Sequence, residues 1–237
     1  MNGVHRIKLS ADPAANLELL REYALASGIS SFGICDTAAI RDCFHPSLSE
    51  NPAVAGMGRA ISMAFHLSDA IMEGISMEPT PLYAMHYNRV NSFLDNCALA
   101  VATIIQNSGH SAIPVAASQI VDKGSQRGHL NHKVVARAAG LGHIGRNNLL
   151  VTPEFGSRVR LVTVLTNAPL DVTAAASSDC GSCRACISAC PAGAIGESVS
   201  DFSLARCVEA ISRFQRIMFV AKGICGVCVR ACGGRGK

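Results

Sequence analysis

The spacing Cys180-x2-Cys183-x2-Cys186-x3-Cys190-Pro191 constrains this chain more than any other feature. Three thiolates on one tight loop hold three irons of a [4Fe–4S] cubane, and the fourth, followed by proline, belongs to a second cubane. The run therefore demands a second set of cysteines. Cys225-x2-Cys228-x3-Cys232 supplies three, and Cys207 stands between the two groups. Crossover pairing gives Cys180, Cys183, Cys186 and Cys232 to cluster one, and Cys190, Cys207, Cys225 and Cys228 to cluster two. Structural zinc prefers four ligands in two separated pairs, a pattern this run fits poorly. Gly233 replaces the proline that would follow the last cysteine.

The cysteine count supports metal over disulfides. There are 11 cysteines in 237 residues, an odd number, and the N-terminus has no apolar core of signal-peptide length. No stretch reaches the roughly 18–20 apolar residues of a membrane span. The expected setting is a cytoplasmic one, in which crowded thiols are metal ligands. With 49% apolar and 16% charged residues, the chain is globular and not disordered. A net charge of +4 without a Lys/Arg run argues against nucleic acid as a partner. Three cysteines are left over. Cys97 lies on an apolar helical stripe and reads as a small core residue, while Cys35 and Cys43 have no partner that spacing can name.

Ahead of the cysteines, helical and strand patterns interleave. Asp12 as N-cap, Pro13 and a stop at Gly28 bound a helix over 12–28, with Leu17, Leu20 and Ala24 as its stripe. Strands are expected over 29–35, 59–67, 110–117 and 157–166. The longest helical pattern covers 88–108, with Val90, Phe93, Leu94, Val101, Ile104 and Ile105 on one face and Gly109 closing it. A short helix is expected over 132–140, and "VEAISRFQRIMFV" (208–220) reads as helical. These patterns describe an α/β (α+β) N-terminal domain. The small, polar stretch 171–179 reads as a linker, giving domains 1–172 and 173–237, the second a ferredoxin-like double-cluster module.

Gly140-x-Gly142-x-x-Gly145 matches the dinucleotide fingerprint in letters only. The true motif follows a strand and opens a helix, with an acidic residue about 20 positions on. Here a helical pattern precedes the glycines, a strand follows, and "VRLVTVLT" occupies the acidic position. Two readings remain: a turn that ends a helix, or backbone kept bare against a large flat ligand.

"HKVVARAAGLGHIGRNNLLVTPEFGSRVRLVTVL" followed by "CGSCRACISACPAGAI" resembles the epoxyqueuosine reductases, kin of the corrinoid-dependent reductive dehalogenases. The resemblance is dense over about residues 120–196. It implies a nitroreductase-like, corrinoid-binding N-terminal domain beside the double-cluster module. It also implies a base-off cobalamin, an electron-donor protein of ferredoxin or flavodoxin type, and a cobalt centre reduced through the two clusters. By the same resemblance, Gly140, Leu141, Gly142, His143, Ile144, Gly145, Arg146 and Asn147 would line the corrin pocket. FMN in a nitroreductase-like pocket is the alternative cofactor.

The sequence departs from the family in three places. The family usually carries Trp where His143 stands. Its acidic proton donor lies about a dozen residues before the glycines; the candidate here is Asp122, in a differently worded and longer stretch, and its competing role is a solvated loop aspartate. Tyr83 is a second candidate donor, with Tyr87 beside it, against a packing role for both. No D-x-H-x-x-G pattern is present, so no histidine cobalt ligand of that kind is expected. The sequence ends five residues after Cys232, without the family's C-terminal helical-repeat domain. The expectation is a short relative that reduces a small molecule other than tRNA epoxyqueuosine, or else a ferredoxin-type relay or reductive activator of a corrinoid protein.

Overall fold

The computed structural model describes residues 7–174, 178–217, 220 and 223–234. Its elements run α1 (Pro13–Ala26), β1 (Ser31–Asp36), α2 (Pro46–Ser49), α3 (Pro52–Ala55), β2 (Arg59–His66), α4 (Asp69–Glu73) and α5 (Pro81–Asn107). There follow β3 (Ala112–Val115), α6 (His132–Ala138), β4 (His143–Ile144), β5 (Leu150–Val151), β6 (Val159–Thr166), α7 (Ala185–Ala189), α8 (Leu204–Phe214) and α9 (Val227–Arg230). The fold is mixed α/β. Among the described residues, no helix is long and apolar enough to cross a membrane.

The residues divide into two compact units. The first comprises Met1–Phe65, Asn91–Leu141 and Arg160–Ala176, and is built on a four-stranded sheet in the order β1-β2-β6-β3. β1 and β2 are antiparallel, with Ser31 opposite Ala64 and Asp36 opposite Arg59; β3 and β6 are antiparallel, with Ala112 opposite Thr166. β1 and β2 are apolar along most of their length because Ile34, Ile61 and Met63 are fully buried. Leu20 of α1 and Leu94, Ile104 and Ile105 of α5 complete that core. Gly33 has a packing reason: a Cβ there would lie 2.2 Å from the Ala139 carbonyl oxygen and 2.5 Å from Leu141 Cδ1. β1 therefore runs flush against the end of α6.

Local chemistry sets the ends of α1 as expected. The Asp12 carboxylate accepts from the amides of Ala14 and Ala15, Pro13 opens the helix, and Gly28 takes φ +102° just beyond its end. α5 begins seven residues before the expected position 88. Its first two turns expose Leu82 and Met85 and bury Tyr83 and Ala84, so the apolar stripe read further along does not extend back through them. The Thr80 hydroxyl, accepting from the Tyr83 amide at 3.1 Å, caps this earlier start.

The second unit gathers His66–Val90, Gly142–Val159 and Ser177–Lys237, so the cysteine-rich tail shares a compact body with two earlier segments. The linker read over 171–179 lies partly, at 175–177, outside the described residues. The helical pattern read over 208–220 is met by α8 as far as Phe214, and positions 218–219 lie outside them too. Arg158 organises this unit. Its guanidinium, only 5% exposed, donates to Asp69 Oδ1 and Glu73 Oε1 at 2.7 Å each and to the main-chain carbonyl of Arg230. One planar fork thus ties α4 and α9 to the segment leading into β6.

Candidate metal centre

Eight of the cysteines lie in the second unit, three on helices and five in the turns beside them. The Asp179 carboxylate accepts from the Gly181 amide at 2.7 Å, and Gly181 turns at φ +50°. The Cys183 amide closes on the Cys180 carbonyl at 3.1 Å. Cys186 sits buried on α7, and Cys190 follows that helix and accepts from the Ala194 amide through its sulfur at 3.4 Å. Cys207 lies in the first turns of α8, whose N-terminus is capped by Ser203. Cys228 is on α9, which packs against α7. Cys232 comes just after α9, and its carbonyl accepts from the Ser157 amide at 3.0 Å.

The electrostatics sort these thiols into two groups. Burial pushes Cys186 up to about 11, with Cys232, Cys180 and Cys183 adding to the push. Burial likewise raises Cys225 to about 11, with Cys207 and Cys190 as its sulfur neighbours. Cys228 is raised by burial, then by Cys225, Cys207, Cys190 and, last, Cys186. Cys207 is raised by burial and then by Cys190. Cys186 thus has Cys180, Cys183 and Cys232 for company, Cys225 and Cys228 have Cys190 and Cys207, and Cys228 also feels Cys186. A metal that takes these sulfurs must displace their protons. Among the described residues, no three His, Cys, Asp or Glu side chains converge on a point that would hold a single ion. A cubane makes no such demand, since its four cysteines bind four separate irons.

The glycine stretch runs into this centre. Gly140, one residue past the last residue capping α6, has φ +80°, the left-handed stop of a helix. β4 and β5 then pair as a short hairpin, His143 opposite Val151 and Ile144 opposite Leu150. A Cβ on Gly142 would fall 2.1 Å from the Val151 carbonyl oxygen. One on Gly145 would fall 2.5 Å from Val151 Cγ2 and 3.4 Å from Cys180 Sγ. These glycines are accounted for by the chain's own packing. Arg146 donates from Nε, Nη1 and Nη2 to the carbonyls of Glu197, Cys183 and Gly181 at 2.7, 3.0 and 2.9 Å. Buried Asn147 donates to Ser157 Oγ at 2.9 Å and accepts from the Leu149 amide. His143 has Nδ1 2.9 Å from Ser178 Oγ and Nε2 3.4 Å from Cys180 Sγ.

The two expected proton donors have different surroundings. Asp122 lies in an exposed turn of the first unit, where its carboxylate accepts from Ser125 Oγ and from the amides of Gly124 and Ser125. The Ser125 hydroxyl, followed by those amides, holds its pKa below the usual carboxylate range, which favours the ionised form. Tyr83 is buried in the second unit. Its ring fills the space over Gly226, where a Cβ would lie 2.6 Å from Tyr83 Cε1, and it meets Tyr87 edge-on at 6.3 Å. Tyr83 therefore packs on the turn between Cys225 and Cys228. The remaining thiols belong to the first unit: Cys35 is buried and pushed up to about 12, by burial first and then by Cys43 and Asp36, and Cys97 is buried on α5. Sequence reasoning missed Ser178, Ser157 and Arg158, whose roles depend on chain segments brought together only by folding.

No family model matches the chain. In sequence it is 47% identical over 68 residues to the epoxyqueuosine reductase of Listeria monocytogenes, a stretch that covers 29% of this chain and 18% of that one. It is 35% identical over 86 residues to the enzyme of Bacillus subtilis, covering 36% of this chain and 22% of that one. These matches span about a fifth of the relatives' length. In structure it superposes on the catabolic reductive dehalogenase NpRdhA bound to 3-bromo-4-hydroxybenzoic acid with a TM-score of 0.76, over 96% of this chain and 34% of that one, at 22% identity. The chain shares its fold with the reductive dehalogenases. It superposes as well on the epoxyqueuosine reductase of Streptococcus thermophilus with a TM-score of 0.60, over 92% of this chain and 65% of that one, at 19% identity. The resemblance drawn from the glycine and cysteine motifs thus meets relatives in both sequence and fold, and those relatives are reductases.

Proposed function

We propose that this chain is an iron–sulfur oxidoreductase in which two [4Fe–4S] clusters carry electrons from a donor protein to a corrinoid that reduces a small substrate. The support that carries the reading is the company the tail thiols keep, Cys186 beside Cys232, Cys180 and Cys183, and Cys225 and Cys228 beside Cys207 and Cys190, which is the company the crossover rule expects. The donor set suits iron, because soft thiolates gathered close together are what a cubane needs. The corrinoid is supported by likeness of fold to a reductive dehalogenase described as B12-dependent, with a TM-score of 0.76 over 94% of this chain. When bound, a corrinoid supplies a cobalt centre for the bond-breaking chemistry, and the protein supplies position and electrostatics.

The stretch 140–147 does not by itself offer a corrin a cradle. The Cβ-less faces of Gly142 and Gly145 are filled by β5, and each side-chain nitrogen of Arg146 is engaged with a main-chain carbonyl. The same packing favours a second reading, a relay or reductive activator that passes electrons to a corrinoid held by another protein.

Anaerobic reconstitution with iron and sulfide, followed by titration with cobalamin, tests both. The expected result is about eight irons per chain, cubane electron-spin signals, and a base-off cobalt signal at one per chain. Cubanes without cobalt binding leave the relay reading. A flavin spectrum in the protein as purified replaces the corrinoid by FMN. Zinc, or far fewer irons under strict exclusion of air, overturns the proposal.

A further inference from the structure

We propose that His143 sets the reduction potential of the cluster built on Cys180, by donating a hydrogen bond to that sulfur, and that the β4–β5 hairpin clamps the cluster's loop. This rests on the iron–sulfur reading above. His143 Nε2 lies 3.4 Å from Cys180 Sγ, and Nδ1 lies 2.9 Å from Ser178 Oγ. An iron-bound thiolate has no proton to offer, so the proton between nitrogen and sulfur belongs to the imidazole. The neutral ring then carries its hydrogen on Nε2, and Nδ1 accepts from the Ser178 hydroxyl. Ser178 thereby fixes both tautomer and ring angle, as outer partners do around other metal centres.

The backbone holds the histidine to this task. Pairing with Val151 fixes its position on β4. Two residues on, a Cβ at Gly145 would come within 3.4 Å of the same sulfur, so the hairpin main chain already lies against Cys180. Arg146 then grips the carbonyls of Gly181 and Cys183, both on the loop that carries the first two cysteines. A hydrogen bond to a cluster sulfur stabilises the more negative, reduced cluster and raises its potential. In the other group the Ala194 amide bonds Cys190; that donor is main chain, whereas His143 can be replaced.

The test is an anaerobic redox titration of the reconstituted full chain, followed by electron-spin resonance. His143→Phe should make reduction of one cluster about tenfold less favourable, a shift of about 59 mV to lower potential for one electron, with the other cluster unmoved. His143→Gln keeps an N–H donor and should recover about half of that shift. Two full cubanes in the Phe variant, both at wild-type potential, overturn the inference and leave the iron–sulfur reading standing. A wild-type chain without cubanes overturns both. Should the Phe variant lose its cluster, Ser178→Ala decides: it keeps His143 but frees the ring, so a lowered potential at one cluster supports the inference and an unmoved one overturns it.

Discussion

Cys35 in the first unit and Cys228 in the second are both cysteines whose pKa is raised chiefly by burial. Their company differs. Cys35 sits in β1 with its sulfur directed at the Val135 carbonyl at 3.9 Å, and its charged-state neighbours are Cys43 and Asp36. Cys228 has Cys225, Cys207, Cys190 and Cys186 about it. A buried thiol with a carbonyl to face is an inert small hydrophobe. A buried crowd of thiols is a different object, because deprotonating several together is prohibitive until a cation takes their charge. Burial alone does not set Cys228 apart from Cys35; the other sulfurs around it do.

The largest effect that can break this contrast is loss of iron. Cys228→Ser and Cys186→Ser are each expected to remove about half of about eight irons per chain after anaerobic reconstitution. Cys35→Ala and Cys97→Ser are expected to leave the iron count unchanged and to cost stability only through packing, about 1 kcal/mol. Iron and acid-labile sulfide assays on the purified variants read this directly. A Cys35→Ala chain that loses as much iron as Cys228→Ser would erase the distinction.

The glycines sharpen it. Gly33 and Gly142 each face a carbonyl oxygen where a Cβ would sit, at 2.2 and 2.1 Å. Replacing either by Ala forces main chain apart and should cost about 2–3 kcal/mol, measured from denaturant midpoints. Only Gly142→Ala should also disturb the metal centre, because it displaces the strand that carries His143 and Gly145 against Cys180. Its expected signature is a lowered or split potential for one cluster, with Gly33→Ala unmoved.

The same contrast explains which features the sequence carries on its own. Chemistry encoded over short spans was legible: the cap and proline of α1, the apolar runs of β1, β2 and β6, the helix-then-glycine order at 132–140, and the spacing of cysteines. The start of α5 was hidden because Leu82 and Met85 face outward, although Thr80-Pro81 is a capping signal that could have placed it. The two-residue strands β4 and β5 are too short to show alternation. Arg158 looked like one more polar residue in an alternating strand, and its value lies in partners 72 to 89 positions away. His143 is marked in the sequence only by the glycines beside it, and its contact with Cys180, 37 positions away, is not. Contacts made across such distances leave no local pattern.

Titration gives a smaller separation. His132 bridges Thr163 Oγ and the Ala116 carbonyl at 2.8 and 2.9 Å, and burial first, with Arg160 adding to it, lowers it to about 4. Because its folded pKa lies below the unfolded value, its contribution is present above about pH 6.5 and is lost as pH falls through 4, on the order of 3 kcal/mol in full. Cys35 has the opposite sign. Raised from 9 to about 12, it contributes stability that is complete below pH 9 and lost as pH climbs through 12. Melting curves against pH should therefore show an acid limb that His132→Gln flattens and an alkaline limb that Cys35→Ala flattens. Neither substitution should change the iron count at pH 7.

The smallest expected effect is a gain. Gly58 has nothing within 4 Å of an added Cβ, and its φ lies outside the left-handed region. Its main-chain carbonyl, which accepts from the Thr37 amide at 3.2 Å and from Arg59 Nη1 at 3.1 Å, is kept by any residue. Gly58→Ala removes freedom from the unfolded chain without strain in the folded one, and should stabilise by about 0.4–1 kcal/mol. For a chain of this size that is a rise of about 1–3 °C in Tm. Gly33, on the neighbouring strand, offers no such gain, because the space its Cβ would take belongs to the Ala139 carbonyl. A Gly58→Ala chain that melts lower than wild type would mean that this edge is packed by something other than the residues around it here.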